Sequence, residues 1–504
     1  MPIDRLRPIL VALAALLVAL AGVWLIVGAG GDSRRTHVVV DQVPMDEVHP
    51  PGAVRHPGVV VAHGFAGSAK LMAQFGDTLA ARGYVVVLLD FDGHGANTTP
   101  LKMGDDEALQ RDLDVAVAHL RSLPDVDPAR IALVGHSMGA SAVTRYAAGH
   151  PDIGATVAIS LPDASAARPG HPARLLLLVG GLEFAGFRDA AAQAGGEEVV
   201  VPGVEHISIL YATRTHRETA DFLDNAVGGP LPAPTRRAAG AALLLVALAV
   251  GLVPLARLTL GPGTEGWPRF DWPLIGRTTA LAAVAATAAA LLARFLPTTR
   301  LPLALGGYVA ALTSITGAAL WAYASRRRRH IEAAPTRRAR AAPALILYAA
   351  ITIAVPLQLG LTHVVPVGTR WWLLAVVWAG FALLAYGAER VTGGNSLAAL
   401  AVSAVTVVVL TAAAIAGLTS SFVLLVAPLL AVLLVWQAAW CRPAPLPGAT
   451  LGDRPGRLAT GRMADRDHPA AGRLTARQNP NCCLMPPMKV ASSTAARWPS
   501  SSAA

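Results

Sequence analysis

Residues 135–139 read Gly-His-Ser-Met-Gly, directly after the run Arg130-Ile-Ala-Leu-Val134. A serine between two glycines at the end of a strand is the pattern of a nucleophile elbow, a sharp strand-to-helix turn that holds Oγ clear of the backbone. The glycines fit because so tight a turn leaves no room for side chains beside the serine. Ala140, Ser141 and Ala142 continue the small residues that close helix–sheet packing requires. The chemistry of such a serine is nucleophilic attack on an acyl carbon. It needs a base, an acid that orients the base, and two backbone donors for the oxyanion.

Each can be found downstream or upstream at a strand end. The base candidate is His206 in Pro202-Gly-Val-Glu-His206-Ile, after the strand-like 198–201 and before a helix. Any one of 14 histidines is most simply a surface loop residue, and position is what singles this one out. The acid candidate is Glu183, just past the strand 174–179 and three residues after Gly180. Asp163, after the strand 155–160, is the competing acid, and Asp189, on a helix, is a weaker one. The oxyanion donors are expected to be the N–H of Met138 and that of Phe65, in the His63-Gly64-Phe65 loop after the strand 58–62. His63 is read as structural, and so are Asp90, Asp92 and His94 in the loop that follows 84–89.

The elements that must position these groups alternate. Short β-branched runs at 37–43, 58–62, 84–89, 130–134, 155–160, 174–179 and 198–201 predict strands. Helices are predicted near 68–82, 103–122, 138–149, 186–194 and 207–226. Such alternation argues an α/β domain with a mostly parallel sheet and helices on both faces. Val85-Val-Val-Leu-Leu89 has the near-continuous apolar character of a central strand.

As a set, His63-Gly-Phe65, Asp90-Phe-Asp-Gly-His-Gly95, Gly135-His-Ser-Met-Gly-Ala140, Gly180-Gly-Leu-Glu183 and Val204-Glu-His206 resemble the α/β-hydrolase superfamily in order and spacing. The resemblance covers about 190 residues. It implies the α/β-hydrolase fold, a Ser137–Glu183–His206 triad and hydrolysis of an ester, thioester or amide, without naming the substrate. One departure stands out. Only residues 161–173 separate the strand after the nucleophile helix from the next one, which leaves no room for the helical cap that family members often insert there.

The rest of the chain reads as membrane. Of the 504 residues, 54% are hydrophobic, and mean hydropathy is +0.49. Residues 37–227 carry 13 Lys/Arg and 23 Asp/Glu, a net of −10, while the remainder carries 29 and 9, a net of +20. The overall positive charge therefore belongs to loops and tail and is no nucleic-acid signal. Residues 9–29 form an unbroken apolar run after Arg5 and Arg7, read as an uncleaved signal anchor within 1–36. After the α/β-hydrolase domain at 37–227 comes a Pro/Gly linker at 228–237. A polytopic region at 238–440 follows, with about seven spans near 239–256, 275–296, 302–325, 343–365, 371–388, 397–417 and 421–440. The Pro-, Arg- and Ser-rich 441–504, which holds all three cysteines, is expected to be disordered. Seven arginines between 326 and 340 place that loop in the cytoplasm, and counting spans back puts the hydrolase domain outside. Arg34, Arg35, Arg236 and Arg237 oppose this orientation.

These observations predict an integral, multi-pass membrane protein whose extracytoplasmic domain is a serine esterase of lipase-like type. Its expected substrate is a small-molecule or lipid-like acyl compound, with membrane lipid as its surroundings. Alternatives are a peptidase or acyltransferase of the same fold, or a polytopic transport or interaction protein with a non-catalytic domain. No P-loop, dinucleotide fingerprint or zinc motif occurs, so no cofactor and no metal are expected.

Overall fold

The computed structural model describes residues 3–424 except 53, 103, 168–169, 225–229, 261–269, 299–300, 302, 304–305 and 327–335, together with 427, 430 and 431. Most of the expected span 421–440 and all of the tail 441–504 lie outside the described residues, as does the start of the linker.

Eight strands form one sheet in the order β1-β2-β4-β3-β5-β6-β7-β8. They are β1 (Arg34–Val40), β2 (Val43–His49), β3 (His56–Ala62), β4 (Val85–Leu89), β5 (Val126–His136), β6 (Ala155–Ile159), β7 (Leu175–Gly180) and β8 (Glu197–Val201). From β4 to β8 all neighbours are parallel, and β1 and β2 add an antiparallel edge. The order reverses around β3. The chain steps out from β3 to β4, then crosses back to β5 and moves steadily the other way. The carboxyl ends of β3 and β5 are thus neighbours, with Ala62 opposite Gly135. A crevice at such a reversal is where open α/β sheets bind ligands.

Alternating residues of the central strands feed two cores. Val60, Val85, Val87 and Leu133 pack against α3 (Asp106–Ser122) and α4 (Met138–Gly149) through Leu113, Val117, Leu120 and Val143. On the other face Val59, Val61, Val86 and Leu88 meet Phe75 and Leu79 of α2 (Ala73–Ala81), and Leu223 of α6 (Thr213–Asp224). A fifth helix, α5 (Ala185–Ala194), places Ala191 in a smaller cluster with Leu175, Leu177 and Ala140.

The expected strand at 37–43 is a correction. The chain there is a hairpin, β1 and β2, joined by Asp41 and Gln42 with φ of 45° and 68°. The expected helices at 68–82 and 207–226 each begin instead as a separate 3₁₀ turn, Ala69–Met72 and Ser208–Tyr211. Between β6 and β7 the described residues hold a single 3₁₀ turn, Ala164–Ala166.

Around this domain lie long helices: α1 (Ile3–Val27), α7 (Arg236–Leu260), α8 (Trp272–Ala293), α9 (Gly306–Arg326), α10 (Thr336–Gly360), α11 (Trp371–Thr392) and α12 (Ser396–Ile415). Among the described residues, four segments are long and apolar enough to cross a bilayer: Pro8–Gly30, Trp272–Ala293, Gly368–Thr392 and Ser396–Ile415. Glycines let the helices approach. A Cβ on Gly22 would lie 2.7 Å from the Gly240 oxygen, and one on Gly240 2.7 Å from the Gly22 oxygen. Between α9 and α11, a Cβ on Gly380 would lie 2.7 Å from Thr313 Oγ1. Close backbone approach of this kind is how apolar helices pack without a hydrophobic driving force.

Candidate active site

Ser137 stands between β5 and α4 with φ 52° and ψ −118°, in the region an L-residue enters only under constraint. Such a conformation costs about 1–3 kcal/mol and persists where the surroundings over-determine it. Here they do. The Ser137 N–H donates to the Ile159 oxygen at 2.9 Å, and its own carbonyl accepts from Ser141. A Cβ on Gly139 would lie 2.5 Å from the His63 oxygen and 2.6 Å from that of Ala62. One on Gly135 would collide with the Gly139 backbone. Both glycines are therefore required by backbone proximity.

The structure brings Ser137, His206 and Glu183 together. His206 Nε2 is 3.1 Å from Ser137 Oγ, and its Nδ1 is 2.6 Å from Glu183 Oε1. A ring nitrogen facing a carboxylate carries the proton, which leaves Nε2 free to accept from the hydroxyl. All three residues are buried. The second carboxylate oxygen of Glu183 accepts the Gly180 N–H at 2.7 Å, so both oxygens are held. The acid and base loops are tied to one another, because the Leu182 N–H donates to the Val204 oxygen and the Gly181 N–H to that of Val201.

Asp163 is not part of this arrangement. It is exposed and caps its own 3₁₀ turn, accepting from the Ser165 N–H and hydroxyl, which hold its carboxyl below the usual carboxylate range. Asp189 is exposed on α5. Met138 is the first residue of α4, and the first N–H groups of a helix have no intrahelical acceptor. The Phe65 loop runs directly against the elbow: a Cβ on Gly64 would lie 2.8 Å from His136 Nδ1 and 3.0 Å from Ser137 Cβ.

The other polar residues of the motifs hold these loops. His63 donates through Nδ1 to the Gly64 oxygen and accepts the Phe91 N–H on Nε2. Burial lowers its pKa to about 4, so it stays neutral. Buried Asp90 accepts from the Ala69 N–H at 2.6 Å and the Ala96 N–H at 2.8 Å, joining the two loops that follow β3 and β4. Two contributors had no role in the sequence reading. His136, pushed down to about 3 by burial, donates from Nε2 to the His206 oxygen. Glu205 accepts the N–H groups of Ile207 and Ser208, fixing the turn that carries His206. The middle position of Gly-His-Ser was the only signal for the first, and nothing in the pattern pointed to the second.

Apolar side chains flank the site. The Phe187 ring lies 4.6 Å from that of His206, and Leu182 and Phe184, on either side of the acid, are 68% and 59% exposed.

Residues 55–179 match the model of the Hydrolase_4 family, described as serine aminopeptidase, S33. The chain contains an α/β-hydrolase domain. The mostly parallel sheet and the family match together carry that statement. Over 128 residues it is 34% identical to an uncharacterized protein of Mycobacterium tuberculosis, covering 24% of this chain and 44% of that protein. Over 108 residues it is 29% identical to cutinase 1 of Thermobifida cellulosilytica, covering 20% and 38% respectively. The matched stretch thus spans less than half of these relatives. Among solved structures, an esterase of Pyrococcus furiosus aligns at 18% identity and a TM-score of 0.32, covering 39% of this chain and 94% of that one.

Proposed function

We propose that the chain is a membrane-anchored serine hydrolase that cleaves ester or thioester bonds through an acyl-enzyme on Ser137. The observation that carries this reading is the unbroken hydrogen-bond line from Gly180 N–H through Glu183 and His206 to the Oγ of a strained elbow serine. In the first half-reaction Oγ attacks the acyl carbon while His206 Nε2 takes its proton. The oxyanion is received by the N–H groups of Met138 and Phe65. The leaving alcohol or thiol departs with the proton from His206 Nε2. Water then enters and attacks the acyl carbon as His206 Nε2 takes its proton, and the Oγ–acyl bond breaks as that proton passes to Oγ, releasing the acid and free Ser137. Glu183 keeps the tautomer and stabilises the imidazolium throughout. The scheme uses side chains and backbone alone.

The helices α1 and α7 to α12 are taken as spans, with the hydrolase domain on the extracytoplasmic side. Arg277, Tyr323 and Arg390 line one cavity, so the start of α8 and the ends of α9 and α11 share one end of the bundle. The start of α11 is about 30 Å away along its axis and touches the hydrolase domain. The arginine-rich 326–340 therefore follows the end remote from the sheet, as a cytoplasmic loop should. Three of the four opposing arginines have local partners: Arg35 and Arg237 both bind Asp77, and Arg236 lies over the Trp24 ring.

The description of the matched family keeps amide cleavage as a second reading. The full chain in detergent, assayed on p-nitrophenyl butyrate and on aminoacyl p-nitroanilides, separates the two. The ester is expected to turn over at least ~10³-fold faster in the unsubstituted protein than in Ser137→Ala. Preferential cleavage of the anilide would favour the peptidase. Neither activity in well-folded protein would favour a non-catalytic domain.

A further inference from the structure

The cap that the hydrolase domain lacks between β6 and β7 has a counterpart elsewhere in the chain. The connector between α10 and α11 lies on the loops that follow β3 and β4, the first of which runs against the elbow. Ser68 Oγ accepts the His363 N–H at 3.3 Å and lies 3.1 Å from Thr362 Oγ1. Arg370 donates to the Gly95 oxygen at 3.1 Å and to that of Asn97. Asp90 joins these same loops from below, so the connector clips a pair already tied together. Just after α12, Phe422 sets its ring 5.0 Å from that of Phe65, whose N–H is the proposed oxyanion donor. The helical region therefore makes contact at the oxyanion side of the site, while Leu182 and Phe184 expose apolar surface at the acid side.

The depth of the contact also matters. Arg370 belongs to the apolar segment Gly368–Thr392, and Trp371 and Trp372, next along, are 55% and 48% exposed. Exposed tryptophans at the end of a span belong at headgroup level. The loops that Arg370 binds therefore belong near headgroup depth, with the Phe422 ring against Phe65 on one side of the site and the apolar Leu182 and Phe184 on the other.

We propose that the helical region completes the hydrolase site, with Phe422 as its acyl-side wall, and that the substrate is an ester bearing a long acyl chain supplied from the bilayer. The inference rests on the serine-hydrolase reading above. A polar or short-chain substrate would gain nothing from a wall and rim of this kind. A buried methylene contributes about 0.8 kcal/mol, so four buried methylenes already supply more than a hundredfold.

The test uses the full chain in detergent with p-nitrophenyl acetate, butyrate and dodecanoate, and fluorophosphonate labelling of Ser137 as the control for a folded site. In the unsubstituted protein kcat/KM is expected to rise at least tenfold from acetate to dodecanoate. Phe422→Ala should lower that ratio at least fivefold, and Phe422→Leu should restore most of it. A flat or falling chain-length profile, or an unchanged ratio in labelled Phe422→Ala, overturns the inference while leaving the serine hydrolase intact. Absence of labelling in the unsubstituted protein overturns both.

Discussion

Glu183 shows how far single residues could be read from spacing. Both it and Asp163 follow a strand in the right part of the chain, and spacing alone does not choose between them. What decides is direction: Glu183 turns back under Gly180 and reaches His206, whereas Asp163 closes its own turn. The order Ser137, Glu183, His206 was legible because each lies in a loop at a strand's carboxyl end. The supports were not, because His136 and Glu205 act on backbone groups whose positions exist only in the fold. Glu183→Gln makes the strongest residue-level prediction. An amide must present its NH₂ either to the Gly180 N–H or to His206 Nδ1, since both carboxylate oxygens now accept. Either choice sets donor against donor or reverses the tautomer. We expect kcat to fall about 10³- to 10⁴-fold with KM little changed. A loss under tenfold would show that Glu183 does not orient the base.

At the scale of elements, the parallel strands were recognisable as apolar runs because both faces are buried. The β1–β2 hairpin was not. β2 reads Val-Pro-Met-Asp-Glu-Val-His, with a proline and three ionisable residues, and its turn uses Asp41-Gln42 in place of an Asn-Gly signal. Its polar groups are satisfied partly by one another and partly by partners distant in sequence. Glu47 bonds His119 and His49, and His49 bonds Asp125. The helices at 239–256, 275–296, 302–325, 343–365, 371–388 and 397–417 were placed to within a few residues at most ends, since apolar length is a coarse and robust signal. The loop after β3 carries the element-level prediction. Gly64→Ala puts a methyl 2.8 Å from His136 and 3.0 Å from Ser137 Cβ, so the loop must move off the elbow. We expect esterase activity to drop at least ~10²-fold, the order expected from losing one oxyanion donor. The thermal midpoint should move by only a few degrees. Full activity would mean that this loop has no part in the site.

Across the whole molecule, the hydrolase domain holds an unusual load of neutral buried imidazole. Burial lowers His63 and His216 to about 4, and His94 and His136 to about 3. Below pH ~6.5 the unfolded chain takes up protons that these native histidines refuse. Stability from each is complete above that pH and is lost as pH falls toward the folded value, at about 1.4 kcal/mol per unit and per histidine. Asp112, which burial raises to about 7, works in the opposite sense, gaining stability as pH falls from 7 toward 4, and burial raises Asp90 and Asp92 in the same direction, so three acids partly offset the four histidines. The four histidines outweigh the acids, so the thermal midpoint in detergent should fall between pH ~6.5 and ~5, and a rising profile there would contradict the buried neutral histidines. Charge is segregated as well: a net-acidic α/β domain touches one end of a helical region whose arginine-rich loop follows the other. All of this depends on Ser137 being an activated nucleophile. The most direct measurement is covalent labelling of the full chain by a fluorophosphonate, compared with Ser137→Ala, His206→Ala and Asp163→Ala. The account predicts rapid stoichiometric labelling that vanishes in the first variant, slows at least ~10³-fold in the second and is unchanged in the third. Labelling that survives Ser137→Ala, or none at all in the folded unsubstituted protein, would contradict it.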